Sequence, residues 1–312
     1  MAHVWMKQDA AIQVTGLHKS YGEHEAVRGI DFEVGKGEVF GFLGPNGAGK
    51  TTTIEILEGY RERTSGQVSV LGIDPAHPNR RWRTRIGLVL QECELNPLLT
   101  VAETMHLYAS FFPKARSVDE TLDLVGLGDR HRVRVGSLSG GQQRRLDVGV
   151  GIIGNPELLF LDEPTTGFDP SARRSAWNMI DGLKELGTTI VLTTHYMEEA
   201  QHLADRVMIM REGEIVAEGA PETLGDQLGR ETMIRFRTDN GVADRAAAAI
   251  DRQAMVSGNQ ATIASTDAQR DLYRLLEWAE GEGITLPDLE VRRPSLEDVF
   301  LEVTSGTQEN GR

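Results

Sequence analysis

The chain is poor in cysteine, in aromatic residues and in positive charge. Its 312 residues hold a single cysteine, Cys93, so no intrachain disulfide can form, and no zinc-type Cys/His spacing is present. Aromatic side chains make up 6%, and 33 Lys+Arg stand against 47 Asp+Glu for a formal charge of −14. A general nucleic-acid binder needs a basic surface to displace counterions from phosphate, so no nucleic-acid partner is expected. Adhesion to anionic lipid by charge alone is disfavoured for the same reason. Long apolar runs are missing too. A spanning helix takes about 20 apolar residues, whereas the best stretch here, Val148 to Gly154, is short and rich in glycine. Residues 1–16 contain no continuous apolar segment, so no secretory leader is expected there. The remaining composition, 39% hydrophobic and 26% charged, is that of a globular protein of about two domains.

Up to about residue 225, short apolar runs alternate with helical stretches, which predicts an α/β fold with a largely parallel sheet. Residues 39–43, 158–161 and 188–192 read as buried strands. Between the first two, Thr100 with Glu103 and Ser117 with Glu120 have capping-box spacing, with Pro113 and Gly126 as stop signals. A helical subdomain inserted over about 94–155 is therefore expected. From about 226 to 304 the pattern changes to a strand at 233–237, an Ala-rich helix at 243–252 and a strand at 261–264. A helix at 268–279, a strand at 289–291 and a helix opened by Pro294 follow. This predicts a small α+β accessory domain, and the polar stretch 305–312 is expected to be a disordered tail.

Three motifs carry chemistry. Gly44, Pro45, Asn46, Gly47, Ala48, Gly49, Lys50 and Thr51 spell G-x-x-x-x-G-K-[ST] between the strand at 39–43 and a helical run from Thr52. Glycines let successive backbone N–H groups turn onto phosphates, the helix start adds partial positive charge, Lys50 reaches the β- and γ-phosphates, and the Thr51 hydroxyl suits Mg²⁺. A dinucleotide fold is excluded, because Lys-Thr ends the motif and no dinucleotide spacing fits. Second, Asp162 and Glu163 end the buried strand Leu158–Leu161. Charge at such a strand end needs compensation; Mg²⁺ on Asp162 supplies it, and Glu163 is placed to deprotonate an attacking water. Third, Ser139, Gly140, Gly141 and Gln142 open a helix with capping-box spacing, and two glycines there leave backbone N–H groups open to an anion.

GPNGAGKT, LSGGQ and LLFLDEP, in this order, resemble the ATPase subunit of ATP-binding-cassette (ABC) transporters over about residues 12–221. The resemblance implies a P-loop ATPase core with an inserted helical subdomain, and ATP with Mg²⁺ as ligands. It matches Tyr21 to the ring that stacks on adenine, and Gln91 to the glutamine that senses Mg²⁺ and attacking water. It matches His195 to the histidine at the γ-phosphate, and Asp169 to the acidic loop that crosses to a second subunit, where Asp169 also suits a helix N-cap before Pro170. It further implies a head-to-tail homodimer in which Ser139, Gly140, Gly141 and Gln142 of one copy meet the ATP held by the other. A separate membrane permease docking near residues 91–99, and a peripheral place on the cytoplasmic side of the membrane, are also implied. The ending Arg293 to Leu301 resembles ATPase subunits of the daunorubicin-resistance export type. Two details depart from the family pattern: Phe168 replaces a usual Leu, and Gly149, Gly151 and Gly154 stand where alanine is commoner, which implies tight packing or a looser helix. A soluble ABC ATPase of cofactor assembly or regulation remains as the alternative at this stage.

Overall fold

The computed structural model describes residues 10–90, 94–227, 231–238, 241–293 and 295–305. Gln91 and the expected tail beyond 305 lie outside them. The chain divides into two compact units, Met1–Pro221 and Glu222–Arg312.

The first unit begins with the hairpin β1 (Ala10–Tyr21) and β2 (His24–Gly35), then β3 (Val39–Leu43), α1 (Lys50–Leu57), β4 (Ser65–Val70), α2 (Arg80–Arg83) and β5 (Ile86–Val89). Three helices follow, α3 (Val101–Ala109), α4 (Val118–Leu124) and α5 (Gly140–Ile152). The chain then forms β6 (Leu158–Asp162), α6 (Pro170–Glu185), β7 (Thr189–Thr193), α7 (Met197–Leu203), β8 (Arg206–Arg211) and β9 (Glu214–Gly219). The main sheet runs β5-β6-β7-β3-β8-β9, parallel except for β9, and a second, antiparallel sheet runs β2-β1-β4.

The central strands are apolar throughout because both faces are covered: all five residues of β3 and all five of β7 are buried. On one face the antiparallel sheet closes over an aromatic cluster, Phe32, Phe40 and Phe42, with ring centroids 5.4 to 6.0 Å apart. On the other, Met105, Leu122 and Leu146 of the inserted helices pack with Leu159, Leu161 and Ile190. The capping boxes of Thr100/Glu103 and Ser139/Gln142 form in both directions, and Ser117 caps α4. Helix α3 ends at Ala109, ahead of Pro113, and α4 ends at Leu124, before Gly126 at φ +67°.

The second unit contains α8 (Leu224–Gln227), β10 (Thr232–Arg237), α9 (Val242–Ala249), β11 (Ala254–Ser257), β12 (Gln260–Ser265), α10 (Ala268–Gly281), β13 (Glu290–Arg292) and α11 (Leu296–Ser305). Strand order β11-β12-β10-β13, antiparallel at each pairing, with one helix in each crossover, is the split βαβ arrangement. Alternation puts Ile234, Phe236, Ala261 and Ile263 on the face covered by Ala243, Ala246 and Leu275. Asp271, 4% exposed among them, is compensated by Arg252 Nε at 2.9 Å and the Ser265 hydroxyl at 2.7 Å.

Of the glycines within α5, Gly151 is set by close packing and Gly149 is not. A Cβ on Gly151 would lie 2.7 Å from a Val89 methyl and 3.2 Å from the Leu88 carbonyl oxygen, whereas one on Gly149 would meet Met105 and Val125 at an ordinary 3.5 to 3.6 Å. The two positions therefore separate helix propensity from overpacking. Gly149→Ala is expected to raise unfolding free energy by about 1 kcal/mol. Gly151→Ala is expected to lower it by about 1–3 kcal/mol despite the same propensity gain. Urea melts of both variants check this, and equal shifts would contradict the packing argument.

Candidate functional site

The loop 44–49 leaves β3 and enters α1 under tight steric limits. Gly44 (φ +151°) and Gly49 (φ +99°) have positive φ, and a Cβ on either would sit 2.4 Å from a backbone oxygen, of Met210 and Ala26 respectively. The backbone thus packs against β8 and β2 and runs directly into a helix start, where first-turn N–H groups lack intrahelical partners. Lys50 closes over the loop, its ammonium donating to the carbonyls of Gly44 (2.6 Å) and Pro45 (3.0 Å). Burial lowers the Lys50 pKa, and the attraction of Glu163 and Asp162 opposes that shift. Those carboxylates therefore share one electrostatic neighbourhood with the P-loop lysine. Thr51 is exposed and Thr52 half-buried at the first turn of α1.

At the end of β6, Asp162 Oδ1 accepts from the Thr193 hydroxyl at 2.5 Å. Glu163 follows in the left-handed region, φ +47°, its N–H donating to the carbonyl and hydroxyl oxygens of Thr193 at 3.1 Å. A non-glycine residue in that conformation costs of order 1 kcal/mol and persists only where its surroundings hold it, a common feature of functional sites. Its carboxylate is held from both sides, by the Thr166 hydroxyl at 3.0 Å and His195 Nδ1 at 3.3 Å. Burial, with Asp162 and Glu55 nearby, pushes the Glu58 carboxyl up to about 7. The carboxyl groups of Glu58, Asp162 and Glu163 thus gather at this end of the sheet, with Lys50 as the cation that the last two attract.

The structure brings Lys50, Asp162, Glu163 and His195 to one mouth of the parallel sheet. It leaves Ser139 to Gln142 apart, exposed or half-buried, their capping bonds (3.1 and 3.3 Å) staying within the turn. A Cβ on Gly140 would meet nothing within 4 Å, and one on Gly141 would only touch Ala172, one turn into α6. Asp169 adjoins this corner as the N-cap of α6, its Oδ1 accepting from the N–H groups of Ser171 and Ala172. Tyr21, 41% exposed at the end of β1, has Lys19 Nζ 4.9 Å and the Arg61 guanidinium 5.3 Å from its ring centre.

Motif reading missed three contributors. Arg144, directly after the signature turn, donates to the carbonyls of Asp162 (2.6 Å), Glu163 and Pro164 (both 3.4 Å) and to that of Leu90, tying α5 to the ends of β5 and β6. Tyr196 rests against His195, ring centres 4.1 Å apart, with the Arg173 guanidinium 4.3 Å above its own ring. Their adjacency to known motifs was the only signal in the sequence.

A clamp of N–H donors with an ammonium, facing a carboxylate steadied by an imidazole, can hold a polyphosphate and take a proton from water beside it. Comparisons with known proteins agree. A family model described as ABC transporter matches residues 27–166, and one described as ABC transporter domain-containing protein-like, C-terminal domain, matches residues 232–295. The chain is 36% identical to the daunorubicin resistance ATP-binding protein DrrA2 of Streptomyces coeruleorubidus, over 96% of this chain and 97% of that one. It is 37% identical to the Nod factor export ATP-binding protein I of Paraburkholderia xenovorans (strain LB400), over 95% and 97%. Among solved structures, a dimeric ATP-binding cassette in a post-hydrolysis state, bound to ADP and Pi, superposes with a TM-score of 0.60 at 26% identity, covering 67% of this chain and 98% of that one. With a P-loop, an acidic strand end and this likeness over nearly its whole length, the chain belongs to the ABC transporter family, as an ATP-binding subunit that hydrolyses ATP.

Proposed function

We propose that the chain works as a homodimer clamping two ATP molecules at its interface, and that hydrolysis there drives export through a separate membrane-spanning permease. The observation that carries this reading is the division of the site: Lys50 of the P-loop and the acidic strand end share one mouth of the sheet, while the side chains of a second anion-receptive turn, Ser139 and Gln142, are spent on capping their own helix. Each copy then supplies the half its mate lacks, with Ser139 to Gln142 and Asp169 meeting the partner's ATP.

In this reading Lys50 turns from the carbonyls of Gly44 and Pro45 to the phosphates, and Tyr21 stacks on adenine. Glu163 takes the proton of the attacking water, while His195 holds that carboxylate and contacts the γ-phosphate. Gln91 keeps the role its motif implies. Mg²⁺ fits the donors at this mouth, since the Thr51 hydroxyl and Asp162 carboxylate are hard oxygen ligands of the kind it shares with phosphates and water. When bound, it would neutralise charge on the β- and γ-phosphates. Breaking ATP removes the shared anion that bridges the copies, so the dimer loosens.

The words resistance and export in the relatives' names support efflux of small organic compounds, and disfavour a role in cofactor assembly or regulation. Among the described residues no helix is long and apolar enough to cross a membrane, so the substrate path would belong to the permease. In this reading the chain sits peripherally on the cytoplasmic side of the membrane, with the permease docked around residues 91–99. The accessory unit would reinforce the dimer.

Glu163→Gln is expected to lower ATPase turnover by about 10³-fold while keeping ATP binding, and to elute as a dimer only with ATP in gel filtration. Wild-type turnover would remove Glu163 as base. Lys50→Ala should weaken ATP binding at least about 30-fold, the effect of losing a charge-assisted contact of ~2 kcal/mol; calorimetric titration measures it. Tyr196→Ala should cut kcat about tenfold with little change in KM, since it releases His195 rather than substrate, and Tyr196→Phe should restore most of the rate.

A further inference from the structure

Asp147 takes no part in the nucleotide site. It lies in the middle of α5, is 8% exposed, and has no hydrogen-bond or ion-pair partner among the described residues. Desolvation pushes its carboxyl up to about 6, offset only by the more distant charge of Arg144. The Arg144 guanidinium is engaged with the carbonyls of Leu90, Asp162, Glu163 and Pro164. A largely buried carboxylate without a protein partner costs stability, and packing alone would place an apolar residue there.

The carboxylate does not face solid protein. It lines a cavity of about 390 Å³ with Glu94, Asn96, Pro97 and Gln143, and among the described residues no lysine or arginine lines it. Glu94, Asn96 and Gln143 are exposed, so the opening presents oxygen acceptors above a buried negative floor. An apolar or anionic group entering it would leave Asp147 unpaired, and a neutral donor would leave its charge uncompensated. A cation would satisfy it.

We infer that this cavity receives a basic side chain, arginine or lysine, from the membrane-embedded partner, with Asp147 as its buried counter-charge. The inference rests on the transport reading above and adds to it the residue and the sign of charge that make the contact. Charge complementarity selects this occupant: two carboxylates and two amide side chains around a recess fit the fork of a guanidinium or the three donors of an ammonium. The position gives the contact a route to the chemistry. Asp147 and Arg144 are neighbours on one face of α5, three residues apart, and Arg144 grips the backbone that carries Asp162 and Glu163. Pulling or releasing the partner's cation therefore acts on a helix already fastened to the catalytic strand end.

The test uses the full-length chain and its Asp147→Asn form, each produced in the native host. Washed membranes are immunoblotted, and thermal melts and solution ATPase rates are measured on the purified proteins. The asparagine form is expected to melt no lower than wild type, because it removes an unpaired buried charge, and to hydrolyse ATP in solution at the wild-type rate. Its membrane-bound fraction should fall at least about tenfold, as expected when one half of a buried charge pair is neutralised. Equal recovery of the two forms in membranes overturns the inference. So does a lower melting temperature, which would make Asp147 a structural residue. If wild type itself is missing from the membranes, the transport reading falls and the inference falls with it.

Discussion

Electrostatic crowding at the carboxyl ends of β3 and β6 is the constraint on which the rest of this structure depends. Asp162 and Glu163 follow directly on a strand buried on both faces, and Glu58 stands near enough for Asp162 to raise its proton affinity. Lys50 is the P-loop's own cation in this field, and in this conformation its ammonium rests on backbone carbonyls. The mouth thus holds charge of both signs, an ammonium that attracts phosphate and carboxylates that oppose it. Parallel order makes the convergence unavoidable: β3 and β6 both flank β7 and run the same way, so the loop after one and the acids after the other open on the same side.

Helix α5 ties this mouth to the inserted helical region. Its first turn is the open Ser139 cap, its second presents Arg144 to the strand ends, and its third packs Gly151 against β5 too closely for any side chain. An element held at several points moves as a body rather than bending. Displacement of the inserted region is thereby linked to the carbonyls around Asp162 and Glu163. On the other side of the mouth, Arg173 over Tyr196, and Tyr196 against His195, join the start of α6 to the imidazole beside Glu163. Asp169 caps that same helix, so the Ser139 turn and the start of α6 are each connected to the surroundings of the Glu163 carboxylate.

Much of this was legible in the residues. The apolar runs at 39–43, 158–161 and 188–192 lie within one residue of β3, β6 and β7, because strands buried on both faces have no other composition available. Thr100 and Ser139 announced their helices, because capping is a contact between residues three apart and needs no tertiary partner. The edge strand β11 escaped notice: Met255, Val256 and Ser257 are exposed, so no burial pattern marks it. The hairpin β1–β2 was equally silent, its register interrupted by several irregularities that break strict alternation.

The chain by itself determined the phosphate loop, the acids after β6 and the signature turn, since each is a short run whose chemistry is carried by neighbours in sequence. Only the tertiary structure decided that Glu163 adopts a left-handed backbone between Thr166 and His195, that Arg144 spans two strand ends, and that Asp147 lies buried beside a cavity with no counter-ion among the described residues. These depend on contacts between residues tens of positions apart. Burial and electric field at a point are sums over whatever the fold brings there, and no local run of residues contains that sum.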